Sequence, residues 1–316
     1  MNSKRVGVSF LLIVLVEFSV LFGMMIYYMA GGTGEVNITA NLIVSQLMNV
    51  IPLFLVLLIG RRKNRSEKIF RDVLGFRRIK ISTALMTILY TILIMPLSTL
   101  ANAISMLFVD NTVNEIAGDV LNVPFVVMFP IMAIFGPFCE ELVFRGAFFR
   151  GFRKSGNIFG AVIMSALLFA VMHMNFNQAA YAMLLGIMMA LAAEATGSTI
   201  TSFLVHAIFN GQSVCLMYLS DRLEPEILGE EMEMVYTSQE MALVIAIYLL
   251  LAVVCTSIAF CVVTWMASNE GRQNFLRTIW ASRKNRQEKL WSACLIIAVS
   301  LALMYMAAME VLKALL

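Results

Sequence analysis

Histidine is nearly absent from this sequence, and charge is thin. Two His occur in 316 residues, and Asp, Glu, Lys and Arg together make up 14%, against about a quarter in a soluble domain. Short segments of alternating hydrophobicity are absent, which excludes an outer-membrane barrel. No cysteine lies outside an apolar run: Cys139, Cys215, Cys255, Cys261 and Cys294 all fall inside one, so no disulfide framework is implied. A His-Glu-x-x-His helix, the usual zinc-protease signature, is missing. Internal repeats, linkers and a soluble domain are missing too, as is the inverted-repeat symmetry of secondary transporters.

What remains is hydrocarbon. Hydrophobic residues make up 60% and the mean hydropathy is +0.86. Nine apolar runs approach or exceed the roughly 20 residues that cross a bilayer, at 6–30, 41–60, 81–109, 125–150, 157–174, 178–196, 198–219, 240–267 and 291–312. The first is too long for a signal-peptide core and is kept as a span. The reading is an all-α, polytopic transmembrane bundle of about nine spans (eight to nine). It divides into spans one to three (1–124), four motif-bearing spans (125–220), and an acidic loop with the last two spans (221–316).

Charge is sided. Of the 23 Lys and Arg, all but Arg145, Arg222 and Lys313 fall before span one, in 61–80, after span four or in 268–290. The acids Asp110, Glu115, Asp119, Asp221, Glu224, Glu226, Glu230, Glu231 and Glu233 fall on the other side. The positive-inside rule therefore expects a cytoplasmic N-terminus and an outer C-terminus. The basic loops read as topology determinants touching anionic headgroups, with no nucleic-acid partner. Short loops point to a prokaryotic plasma membrane.

Three polar motifs interrupt the apolar runs: Glu140-Glu141-Leu142-Val143-Phe144-Arg145, Phe169 with His173, and His206 with Asn210. Ionisable groups that persist in hydrocarbon face a bundle interior or a watery cavity. At ~1.5 Å per residue, Glu140 and His173 lie about 22 and 27 Å from a turn near Ser155-Gly156. On the same scale His206 and Asn210 lie about 14 and 20 Å from one near Gly197. Level turns would put Glu140, His173 and Asn210 at one depth, with His206 slightly nearer the cytoplasm. Glu141 and Arg145 form an i,i+4 pair in the favourable order and are assigned to structure. Glu140, rotated about 100° away on an α-helix, is left free for chemistry. A free carboxylate with two imidazoles points to general-base catalysis on water, and His206 with Asn210 offers donors for an oxyanion. The competing reading is interhelical polar glue.

These residues resemble a known family, the CAAX-protease and bacteriocin-processing (CPBP, or Abi) intramembrane endopeptidases, which include the type II CAAX prenyl proteases. The family pattern is Glu-Glu-x-x-x-Arg, Phe-x-x-x-His and His-x-x-x-Asn on successive helices, and the chain matches each position in order over roughly 125–220. A ninth span exceeds the eight associated with the family core. The resemblance implies hydrolysis of a peptide bond in a membrane-associated peptide or protein by a glutamate-activated water. Glu140 would then be the base, His173 would position the water, and His206 and Asn210 would form the oxyanion hole. Glu141, Arg145 and Phe169 would hold the helix geometry. No cofactor is expected; if a zinc were bound, Glu140, His173 and His206 would be its ligands. The alternative is a non-catalytic immunity or scaffold protein of the same family.

Overall fold

A long apolar run in hydrocarbon must satisfy its own backbone, and an α-helix does so within one segment. Each of the nine runs is helical in a computed structural model that describes residues 1–33, 37–60, 68–223, 238–285 and 287–315. Among the described residues there is no strand. The helices are α1 (Ser3–Met29), α2 (Ile38–Gly60), α3 (Ile81–Ser105), α4 (Thr112–Leu121), α5 (Phe125–Arg153), α6 (Ile158–Met172), α7 (Phe176–Thr196), α8 (Thr199–Leu223), α9 (Ser238–Asn269), α10 (Phe275–Ser282) and α11 (Ala293–Leu315). Eight of them are long and apolar enough to cross a membrane; α6 is apolar but shorter, and α4 and α10 are connecting helices. Arg61, Arg62, Lys63, Arg65, Arg286 and the acids from Glu224 to Glu233 lie outside the described residues.

The fifth run departs from a full span. With 15 residues, α6 reaches about 22 Å, short of the ~30 Å hydrocarbon core. It stops at His173, and Met174 takes a left-handed backbone (φ 55°). Asn175 then caps α7, its Oδ1 accepting from the Gln178 amide at 2.7 Å while its Nδ2 donates to the His173 carbonyl at 2.8 Å. Irregular backbone at membrane depth is tolerated where it is enclosed by protein or lines a cavity. Here it lines one.

Helix α5 is not regular either. Pro130 opens a π-helical stretch to Phe135, and a second runs from Leu142 to Phe149. Every residue of that second stretch is buried, and α7 is the most enclosed of the eight long helices. By contrast, Leu250 and Val253 of α9 are 67% and 60% exposed, as a lipid-facing helix requires. The motif helices therefore form the core, α3 pairs with α7, α8 and α9, and α1 pairs with α2 and α11.

The turns rich in Lys and Arg meet at one end of the bundle. Glu194 receives Arg153 Nε at 2.8 Å and Arg272 Nη2 at 2.6 Å, so it is locally paired rather than a cavity acid. Arg150 Nη2 donates to the Gly197 carbonyl at 2.9 Å, and Gly197 ends α7 in the left-handed conformation (φ 72°).

Candidate active site

Adjacent glutamates on α5 point into different surroundings. Glu141 and Arg145 are wholly buried and joined at 2.7 Å (Oε1 to Nη1). Arg145 Nη2 also donates to the Gly186 carbonyl at 3.3 Å, and the guanidinium lies over the Phe169 ring at 4.3 Å. This ring contact is a cation–π arrangement in a desolvated site. The i,i+4 spacing brings the two side chains into contact, as expected from the sequence. Its closeness depends on Gly186, where an added Cβ would stand 3.1 Å from Ala166 and 3.3 Å from Arg145 Nη2. Gly186→Val is expected to push α6 and α7 apart at a cost of about 1–3 kcal/mol, read as a lower melting temperature of the purified protein.

Glu140 faces a cavity of about 440 Å³ that His173, His206, Asn210 and Phe169 also line. Its side chain is 19% exposed, whereas Glu141 is sealed. Oε1 of Glu140 accepts from Gln46 Nε2 at 3.0 Å, and Oε2 stands 3.7 Å from His206 Nε2. The other ring nitrogen of His206 meets Glu141 Oε1 at 3.1 Å. A carboxylate accepts, so Nδ1 carries the hydrogen and Nε2 is turned towards Glu140. His206 therefore bridges the two glutamates, closer to Glu140 than the depth estimate placed it.

His173 is held differently. Its Nδ1 lies 2.8 Å from the Phe169 carbonyl, an acceptor only, so Nδ1 is the protonated nitrogen and Nε2 keeps a lone pair for the cavity. Phe169 meets both imidazoles at right angles, with centroids 4.9 Å from His173 and 5.5 Å from His206. Asn210, one turn beyond His206, donates from Nδ2 to the Met132 carbonyl at 3.2 Å. An amide has two N–H bonds, so this contact still leaves one for a ligand.

A comparison with protein-family models finds a match that covers the three polar motifs. Residues 122–212 match the type II CAAX prenyl endopeptidase Rce1-like family. The segment is similar to that family over these residues. It runs from the start of α5 to just past Asn210, under a third of the chain. No curated protein and no solved structure matches the chain.

The Rce1-like segment does not contain the whole cavity. Gln46 on α2 and Ser98, Thr99 and Asn102 on α3 line it from outside the matched residues, and Tyr181 and Gln178 line it from within. Each is an isolated polar residue in or beside an apolar run; the motif spacing alone did not single them out. Among the described residues, no group of three or more His, Cys, Asp or Glu is arranged to hold a metal.

Proposed function

We propose that this chain is an intramembrane endopeptidase that cuts a membrane-associated peptide or protein with a water activated by Glu140. The observation that carries the reading is the shared cavity, in which an accessible carboxylate and two imidazoles converge while the neighbouring Glu141 is neutralised by Arg145. Water held between Glu140 and the Nε2 lone pair of His173 gives up a proton to the carboxylate as its oxygen bonds to the scissile carbonyl carbon. The resulting oxyanion takes a hydrogen bond from the second amide hydrogen of Asn210. It takes another from His206 Nε2 when that ring carries both protons. Collapse breaks the C–N bond, and the proton on Glu140 passes to the leaving nitrogen. Preorganised donors of this kind commonly supply a few kcal/mol each. The site belongs, in this reading, to a protein of a prokaryotic plasma membrane.

Gln46 donates to the base and fixes where its carboxylate points. Hydrogen bonds to charged groups contribute about 1.5–3 kcal/mol. Gln46→Leu should therefore lower kcat about tenfold or more while leaving the protein inserted, as measured by cleavage of a purified substrate and by a melting curve.

The function itself is tested by comparative proteomics of wild-type and Glu140→Ala cells. An uncut precursor should accumulate in the variant and disappear on complementation. If no protein differs in processing while both forms are equally abundant, the motifs are polar glue in an immunity or scaffold protein, and the endopeptidase reading fails.

A further inference from the structure

The proposed reaction needs hydrogens aimed at a developing oxyanion, and the motif side chains that line the cavity supply few. His173 turns a lone pair to the cavity, because its Nδ1 hydrogen is used on the Phe169 carbonyl. His206 spends its Nδ1 hydrogen on Glu141, so the neutral ring presents a lone pair at Nε2 as well. Only a second proton on that ring makes it a donor there. Asn210 keeps one N–H after its contact with the Met132 carbonyl. With His206 neutral, that N–H has no companion among the motif side chains.

Tyr181 lines the same space from α7. Gln178, Tyr181, Ala182 and Leu185 follow the i, i+3, i+4, i+7 spacing of one helix face, and all four border the cavity. Two contacts fix where that face points. The Asn175 cap sets the start of α7, and Gly186 lets the helix lie close against Ala166 of α6. A tyrosine hydroxyl taken from water usually finds an acceptor. Tyr90 has the Met188 carbonyl at 2.9 Å, and Tyr218 has the Val120 carbonyl at 2.8 Å. Tyr181 is half-buried, yet among the described residues its hydroxyl has no hydrogen-bond partner, and its oxygen is not sealed from the cavity. It stands within electrostatic reach of Glu140, as His173 does.

We propose that Tyr181 is a further catalytic residue, whose hydroxyl donates to the scissile carbonyl oxygen as that oxygen gains charge. The inference rests on the endopeptidase reading and deepens it. Water gives its proton to Glu140 and bonds to the carbonyl carbon, and the C=O π electrons move onto the oxygen. The Tyr181 O–H and the free Asn210 N–H meet the charge there. Tyr181 keeps its proton throughout, because a phenol is neutral near pH 7. The oxyanion then has two donors without a doubly protonated His206. In water-excluded surroundings such donors act strongly because they need no reorganisation when the charge appears.

The test is steady-state cleavage by purified full-length protein in liposomes, on the precursor that accumulates in Glu140→Ala cells. Tyr181→Phe keeps the ring and removes only the hydroxyl. It should lower kcat about a hundredfold, the usual loss for one oxyanion donor, with KM little changed and the melting temperature near wild type. A contact made only after the carbonyl becomes tetrahedral acts on kcat and not on substrate binding. A peptide phosphonate spanning the cut site carries a tetrahedral, anionic centre in place of the carbonyl. Its inhibition constant should rise in Tyr181→Phe by about the factor that kcat/KM falls. A folded Tyr181→Phe protein with wild-type kcat overturns the proposal. So does a loss confined to KM, which marks a ground-state contact, or an unchanged phosphonate affinity beside a slower rate. A variant that melts well below wild type also overturns it, because the hydroxyl then holds the fold. Glu140→Gln is assayed in parallel. If it is inactive while Tyr181→Phe cuts normally, only this inference fails; if it cuts normally, the endopeptidase reading fails.

Discussion

Glu140→Gln should reduce peptide-bond cleavage by about a hundred- to ten-thousand-fold, the contribution of a positioned general base, while the protein still inserts and melts near the wild-type temperature. The substitution keeps the size and planarity of the side chain and removes only its ability to take a proton. Glu140 is partly open to the cavity, and among the described residues its ion-pair and hydrogen-bond partners are His206 and Gln46 rather than Arg or Lys. Turnover of a defined precursor by purified protein in liposomes reads the chemistry, and a melting curve on the same sample reads the fold. A folded Glu140→Gln protein that cuts at the wild-type rate contradicts the assignment of the base.

Arg145→Met should have the opposite signature, a large loss of stability. The guanidinium is sealed against Glu141 and Phe169. Removing it leaves a carboxylate buried without its cation, which costs about 3–5 kcal/mol when a buried pair is broken from one side. Glu141→Gln in the same chain removes the stranded charge and still accepts from His206 Nδ1, the contact now made at 3.1 Å. The double variant is therefore expected to melt well above Arg145→Met alone. Losses that simply add would contradict a coupled pair. Taken together, Glu140→Gln and Arg145→Met separate a chemical role from a structural one in a single Glu-Glu-x-x-x-Arg motif.

Much of this arrangement is legible in the sequence because hydrocarbon leaves so few options. Each apolar run had to become a helix, and the i,i+4 spacing was enough to pair Glu141 with Arg145. The 100° step between neighbouring residues was enough to turn Glu140 elsewhere. The departures have physical causes. Depths counted at a constant rise place His206 nearer the cytoplasm than Glu140, but α5 is wound partly as π-helix and α6 ends at His173. Both change the level at which side chains meet, and His206 reaches Glu140 and Glu141 together. Gln46 could not be singled out, because its meaning comes from α2 packing against α5 across 94 residues of sequence. The truncation of α6 also left no mark in hydropathy: 157–174 reads as one more span. Its end is set by the turn through Met174 and the Asn175 cap, which a run of apolar residues does not announce.

If Glu140 and His173 act on one water in one enclosed space, a double-mutant cycle on the cleavage rate will show it. Residues that work as a unit are strongly non-additive, since removing either already disables the step. Purified Glu140→Gln, His173→Ala and the combined variant are compared with wild type on the same precursor, each confirmed folded by its melting curve. The combined variant should be no slower than the slower single one. If the two losses multiply instead, the carboxylate and the imidazole act independently, and the shared catalytic site is wrong.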